Sequence, residues 1–339
     1  MNSLPPEVQF DVFKCLNFDQ LFSVKQTNHY FKNFIDKYEN ELARLKFEKL
    51  SIYNWSYNKK FNSYKVIPIE SGFFEFNLNA QLKEKWQKAI DKSIPLYLLD
   101  YRPRSQSAVI LDHYILKLPN FPKNIKEMII LRCWFEHLFK CAFEYTGFDN
   151  LFNPKIINLL FDNDKTIPLQ FHIQKPSLFA RHNMFENFFN FASNHLSISE
   201  SLSINYSEDD ISEQQINILF DIIINGGMKL PQFYFKSNKC FKLSRLYDLI
   251  FKHITTSTNC TKMVPVILLE YISNSNFKLS RKAKNVEIKK LNVVKYTKYK
   301  ISNIHNPKVK FSFCNAERIV HANFGMNSNF KFKIRIMKV

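Results

Sequence analysis

Few groupings of side chains in this chain could do chemistry. Cys133, His137 and Cys141 recur every fourth residue in an apolar stretch. On a helix they would place two thiols and an imidazole on one face, a set that suits a soft metal. One histidine on an apolar helical face is more often part of a core, and no C-x-x-C or other zinc spacing supports the metal. Asp162-Asn163-Asp164 opens like a calcium loop, but Lys165-Thr166-Ile167-Pro168 supplies neither the turn glycine nor the later oxygen ligands. Glu208-Asp209-Asp210 runs into a Ser212-x-x-Gln215 capping box and reads as acidic support for a helix start. His172 and His182 stand ten residues apart with no base beside either. There is no nucleophile elbow and no H-E-x-x-H. The 5 glycines, Gly72, Gly147, Gly226, Gly227 and Gly325, form neither a phosphate-cradling loop nor a dinucleotide fingerprint. The expectation is a chain that is not an enzyme, with no catalytic residue, no metal and no cofactor.

The elements that carry these residues must then serve another purpose. Hydrophobic residues make up 45% of the 339 positions and 35 are Phe, enough for a large core and for about two domains. The 6 cysteines are dispersed, as expected of free thiols in a reducing compartment. The N-terminus has no basic segment leading into an apolar one, and no apolar run approaches the ~20 residues of a membrane span. The most apolar stretch, Met128 to Phe143, is broken by Arg132, Glu136, His137 and Lys140. A cytoplasmic or nuclear protein without a membrane partner is expected. The net charge of +18 is confined to one end: residues 231–339 hold 22 Lys and Arg against 4 Asp and Glu. A composition rich in Asn, Lys, Ile, Phe and Tyr, as an AT-rich genome yields, accounts for abundant lysine but not for its confinement.

The N-terminal stretch Leu4 to Ile35 packs three amphipathic segments into about thirty residues. Pro5 and Pro6 suit a first helical turn. Val8, Val12, Phe13 and Leu16 follow on one face. Asn17 or Asp19 can cap a second helix bearing Leu21, Phe22 and Val24. Thr27 or Asn28 can cap a third, bearing Phe31, Phe34 and Ile35 and continuing through Leu42 and Leu45. Such a module exposes more apolar surface than it can bury within itself, so it needs a partner or a domain to pack on. Leu4-Pro5-x-Glu7-Val8, then Val12, Leu16, Leu21 and Lys25-Gln26-x-x-x-x-Phe31, resemble an F-box over residues 3–48. The family often has Val-Cys where this chain has Thr27-Asn28, Trp where it has Phe31, and a late Leu-Trp pair that is absent here. The remainder is similar to the expanded F-box proteins of nematodes. The resemblance implies docking onto a SKP-family adaptor, and through it a cullin, by Leu4, Pro5, Val8, Val12, Leu16, Leu21 and Phe22. It implies the substrate-recognition subunit of an SCF-type ubiquitin ligase, acting in ubiquitin-dependent degradation of a protein target.

Residues 49–105 read as a connection. Tyr64 to Ile69 and Phe73 to Leu78 alternate like a hairpin around Glu70-Ser71-Gly72. Gln81 to Ile90 is helical, and Tyr101 to Ser107 is a polar boundary. From 106 to 339 the chain reads as a recognition domain. Leu169–Ile173, Leu202–Tyr206, Phe233–Phe235 and Val266–Leu268 are strand-like and start 33, 31 and 33 residues apart. Helical stretches Met184 to Leu196, Glu213 to Ile223 and Leu243 to Ile254 lie between them. Upstream, Tyr114 to Leu118, a helix Ile125 to Phe143, Asp149 to Phe152 and a helix Lys155 to Phe161 repeat the alternation. The fold class expected is α/β: three N-terminal helices, then a divergent leucine-rich-repeat-like strand–helix array, then antiparallel strands from about 290. A compact α/β or α+β domain is the alternative. In the tail, Val309, Phe311 and Phe313 alternate with Lys308, Lys310 and Ser312, while Phe330, Phe332, Ile334 and Ile336 alternate with Lys331, Lys333 and Arg335. Tyr296 to Ile301 behaves similarly, with Lys295, Lys298 and Lys300. Half-buried strands with a basic outer face result. Lys308, Lys310, Lys331, Lys333 and Arg335 are the candidate target-binding residues, although lysines also solvate strands and guard sheet edges. A nucleic-acid binder using this sheet, or a scaffold whose F-box no longer docks, are the other readings.

Overall fold

The computed structural model describes residues 4–54, 64–70, 76–98, 107–162, 164, 166–180, 184–208, 211–237, 243–273, 278–321 and 328–339. The chain folds as two compact units. The first comprises Met1–Thr146, Asn150–Ile173 and Asn194–Leu196; the second comprises Gly147–Asp149, Gln174–Ser193 and Ser197–Val339. The class is mixed α/β, with a helical N-terminus and antiparallel strands at the C-terminus.

The first unit opens with α1 (Pro6–Lys14), α2 (Phe18–Lys25) and α3 (His29–Lys37). Pro6 occupies the first turn of α1, where no backbone N–H is needed. Asn17 and Gln20 form a reciprocal capping box on α2. Asn28, not Thr27, caps α3 by accepting from the Phe31 N–H. Helix α3 stops at Lys37 and does not continue to Leu45. Leu42 turns into the helical core, and Leu45 begins strand β1 (Leu45–Asn54), whose Leu50 and Ile52 alternate into a sheet instead.

The unit continues with β2 (Lys65–Ile67), α4 (Ala80–Asp91), β3 (Tyr97–Leu98), β4 (Ser107–Leu111), β5 (Tyr114–Leu116), α5 (Ile125–Lys140), β6 (Cys141–Phe148), β7 (Leu151–Phe152) and α6 (Pro154–Leu160). The sheet order is β6-β1-β4-β5-β2, and β3 pairs with β7 separately. The hairpin expected around Glu70-Ser71-Gly72 is not formed by its first half: β2 pairs in parallel with β5. Residues 71–75 lie outside the described residues, as do 101–106 of the polar boundary, His182, and Asp209 and Asp210 of the acidic run. Helix α5 ends at Lys140, three residues early. Cys141 is extended and Cys141 and Phe143 are buried with period two, so they join β6. The expected common helix face of Cys133, His137 and Cys141 is therefore broken. His137 Nδ1 instead meets the Cys133 carbonyl at 2.7 Å, and Cys141 Sγ donates to the His137 carbonyl. Helices α4, α5 and α6 are tied by polar side chains. Trp86 Nε1 donates to the Leu159 carbonyl at 3.0 Å, and Arg132 Nη1 donates to the Leu160 carbonyl at 2.6 Å. The Arg132 guanidinium lies over the Phe76 and Phe161 rings and pairs with Asp164; Lys85 pairs with Asp162. The two aspartates that open like a calcium loop thus hold cationic side chains of the fold.

The second unit takes β8 (Phe171–Ala180) from Gln174 onward, then α7 (Phe185–His195), β9 (Leu196–Ile198), β10 (Leu202–Tyr206), α8 (Glu213–Asn225), β11 (Gln232–Ser237), α9 (Leu243–Thr256), β12 (Val266–Ser273), β13 (Lys284–Leu291), β14 (Val294–Ser302), β15 (Lys310–His321) and β16 (Ser328–Lys338). Its sheet order is β13-β14-β15-β16-β12-β11-β10-β8. The strands expected at Leu202, Phe233 and Val266 are parallel neighbours, β10–β11 and β11–β12. The one expected at Leu169–Ile173 enters β8 only from Phe171, and β10 pairs in parallel with the later Ser177–Ala180, so the first 33-residue interval is not kept. Helices connect them because parallel neighbours need a crossover. Ser212 and Gln215 close the capping box expected at the start of α8. One face of the sheet buries Ile204, Phe235, Leu269, Ile334, Phe313 and Tyr299. Helices α7 and α9 cover that face, with Phe185 against Tyr206 and Phe251 against Phe313. The chain from β12 onward is antiparallel, and β16 is inserted between β12 and β15.

Candidate docking surfaces

The N-terminal helices close on a core of Phe13, Leu21, Phe31, Phe34, Ile35 and Leu42. Phe13 is met edge-on by Phe31 and Phe34 with ring centroids 5.7 and 5.5 Å away. The helices cannot bury every apolar side chain they carry. Leu4, Val8 and Phe22 remain 38%, 43% and 52% exposed. Pro5 is exposed as well, and Val12 and Leu16 are half-buried at the margin. Leu21 is the exception among the expected docking residues. It is 3% exposed because α2 packs into the shared core with Leu21 turned inward and Phe22 outward. Phe22 stacks on Phe18, which holds its ring in place.

Two residues that periodicity did not single out organise this surface. Gln9 is 1% exposed and shares the inner face of α1 with Phe13, four residues on. Its Nε2 donates to the Leu4 carbonyl at 2.7 Å, and its Oε1 accepts from Tyr30 Oη at 3.0 Å. The buried amide thereby anchors the backbone of Leu4 and the exposed ring of Tyr30. The Gln9–Phe13 spacing was visible in the sequence, but a polar residue does not announce burial. Phe31 fills the position where the resembled family often has Trp, and Asn28 serves as a cap there, so both departures have a structural use.

Family comparison agrees with this geometry. Residues 1–42 match the F-box domain. The chain carries an F-box. As a class, F-box domains bind SKP-family adaptors and have an adaptor-type role in SCF assemblies, and this is the general role the match assigns to the chain. Downstream of the F-box, residues 67–207 match a family described as a domain of unknown function, DUF8381. No curated protein and no solved structure matches the chain. No helix among the described residues is long and apolar enough to cross a membrane.

A second surface lies at the other end of the chain from the F-box. Strand β16 places Phe332, Ile334 and Ile336 in the core and turns Lys331, Lys333 and Arg335 to the opposite face. Lys310 opens β15 opposite Ser302 on that same face, whereas Lys308 sits in the turn before the strand. Lys331 pairs with Glu270 Oε1 at 2.8 Å, Lys236 approaches the same oxygen at 3.6 Å, and Tyr234 Oη donates to Glu270 Oε2 at 2.7 Å. Burial works against the ionised Glu270 carboxyl, but these donors outweigh it and hold its pKa below the usual value. Lys295 departs from the expected pattern, since it lies beside Glu317 on the helix-covered side of β14.

Proposed function

We propose that the chain is the target-recognition subunit of an SCF-type ubiquitin ligase. Its F-box docks on a SKP-family adaptor, which links it to a cullin, and the C-terminal region holds a protein target. The observation that carries this reading is the set of apolar side chains left exposed on a closed F-box core, Leu4, Val8 and Phe22, with Pro5 beside them and Val12 and Leu16 at their edge. Exposed apolar groups on a rigid helical frame are what a groove-type interface uses as anchors. The contribution of such a subunit is positional. It brings a target within reach of a conjugating enzyme and raises the effective concentration of the two. Lys308, Lys310, Lys331, Lys333 and Arg335 are the residues proposed to contact the target.

The test is capture of a purified SKP-family adaptor by the full chain. The Leu4→Ala/Pro5→Ala double variant and Phe22→Ala should each weaken capture about tenfold or more, as loss of an interface anchor does. Tyr114→Ala, an exposed aromatic on β5, should leave it unchanged. An intact chain that captures no SKP-family adaptor overturns the reading and leaves a scaffold function in its place.

A further inference from the structure

The face of the second unit's sheet that is turned away from α7 and α9 has an arrangement that no single strand reveals. The cross-strand registers place its residues in rows. One row runs Lys298, Cys314, Arg335, Leu268, Tyr234; the next runs Tyr296, Ala316, Lys333, Glu270, Lys236. Lys300, Ser312 and Met337 precede them, and Arg318 and Lys331 follow. The small side chains of β15, Ser312, Cys314 and Ala316, therefore floor a shallow trough. Its walls are Lys298 and Lys300 on β14 and Lys331, Lys333 and Arg335 on β16. At ~4.8 Å between neighbouring strands, the two walls stand ~10 Å apart.

The charges of these walls are mostly unbalanced. Lys298, Lys300, Arg318, Lys333 and Arg335 are exposed, and none forms an ion pair among the described residues. Only Lys331 is neutralised, by Glu270. Arg318 lies directly opposite Lys331, and Lys300 directly opposite Lys284, pairings that repel, whereas Lys298 faces Glu287 and Lys333 faces Glu270 without forming an ion pair among the described residues. Guarding an edge does not explain them. Strand β16 is hydrogen-bonded on both sides, and β14 and β15 are likewise interior. Something anionic is the natural complement of such a surface.

We propose that this trough binds an acidic, extended segment of a protein target, with carboxylates reaching the lysines and Arg335 and apolar side chains meeting Met337, Leu268 and Val266. The proposal rests on the reading of the chain as a target receptor and names the chemistry of what is received. A polypeptide fits better than a nucleic acid. Most aromatic side chains of these strands, Phe311, Phe313, Phe332 and Tyr299, are buried on the other face. Tyr296 and Tyr234 lie on this one, but on β14 and β11 at opposite ends of the rows, and Tyr234 is bonded to Glu270, so no run of rings lines the cations. The half-buried aliphatic groups of β12 and β16 offer contacts a peptide can use and a phosphate backbone cannot.

The experiment uses the full chain and two labelled probes, a 15-residue oligo-glutamate peptide carrying interspersed valines and a 15-nucleotide oligothymidine. Adaptor capture is measured in parallel. The peptide should bind, and the Lys333→Gln/Arg335→Gln variant should weaken it at least tenfold while thermal unfolding and adaptor capture are unchanged. Lys229→Glu, an exposed lysine of the same unit outside the trough, should have less than a twofold effect. No peptide binding, an equal loss with Lys229→Glu, or tighter binding of the oligothymidine with the same Lys333/Arg335 dependence would each overturn the proposal. Failed adaptor capture with intact peptide binding instead removes the ligase reading and leaves the trough standing as an acidic-peptide site.

Discussion

At the scale of single residues, the F-box depends on a polar side chain placed where an apolar one would be expected. Gln9 is buried beside Phe13 and spends both ends of its amide on Leu4 and Tyr30. Replacing it with Ala removes two hydrogen bonds, at a cost of about 1–3 kcal/mol. Hydrogen exchange should therefore accelerate at the amides of α1 and α3, with smaller changes elsewhere. Because Leu4 and Tyr30 lose their anchor, adaptor capture should weaken together with it. Unaltered exchange in α1 would show that the amide network does not hold the F-box together. Phe22 and Leu21 illustrate the same point from the other side. They are adjacent apolar residues, and one is a core residue while the other is a surface one.

At the scale of elements, the first unit is joined by Arg132, whose side chain is 5% exposed and reaches from α5 to the end of α6. Its partner Asp164 is buried enough to disfavour its charge, yet its pKa stays below the usual carboxylate value, since Thr166 and Arg132 donate to it. Removing one member of a buried pair leaves an uncompensated charge and typically costs about 3–5 kcal/mol. Asp164 is less buried than Arg132, so Asp164→Ala is expected at the lower end, about 3 kcal/mol. The Arg132→Met/Asp164→Ala double variant should recover part of that loss, since Met can fill the space between Phe76 and Phe161 without a charge. Chemical denaturation of the two variants decides the matter. A double variant less stable than Asp164→Ala alone would mean that the guanidinium acts by ring contact and by its bond to Leu160 more than by the ion pair.

At the scale of the whole molecule, stability should depend on pH through histidines kept neutral by the fold. Burial, helped by the nearby Arg44 charge, lowers the pKa of His172 from 6.5 to about 4. Burial also lowers those of His195 and His253, the former partly opposed by its bond to the Leu169 carbonyl. A folded pKa below the unfolded one means that the unfolded chain takes up protons first. The stabilisation is complete above pH ~6.5 and declines as pH falls toward ~4. Glu270 adds a loss in the same direction at still lower pH, as its depressed carboxyl finally protonates. Unfolding free energies measured from about pH 7 to about pH 4 should fall, and His172→Gln should flatten part of that slope. An unchanged slope in the variant would remove His172 from the account.

The sequence by itself determined the identity of most elements and the nature of the N-terminal module. Local signals carry that information: capping residues at Asn17 and Ser212, the helical spacing of α4, α8 and α9, and the strict alternation of Leu202–Tyr206, which coincides with β10. They are local because helix caps and side-chain periodicity depend on residues within a few positions of one another. Tertiary structure alone decided the rest. It assigned β2 to β5 in place of a nearby hairpin, and it ended α5 at Lys140 so that Cys141 and Phe143 could enter a strand. It divided the apolar surplus of the F-box between core and surface, since three helices share one interior and only packing selects which side of each faces it. It also placed β16 between β12 and β15, which turns lysines that could have guarded an edge into the wall of an interior trough. Strand neighbours are chosen by contacts between residues distant in sequence, so the partners that give those charges their meaning exist only in the folded sheet.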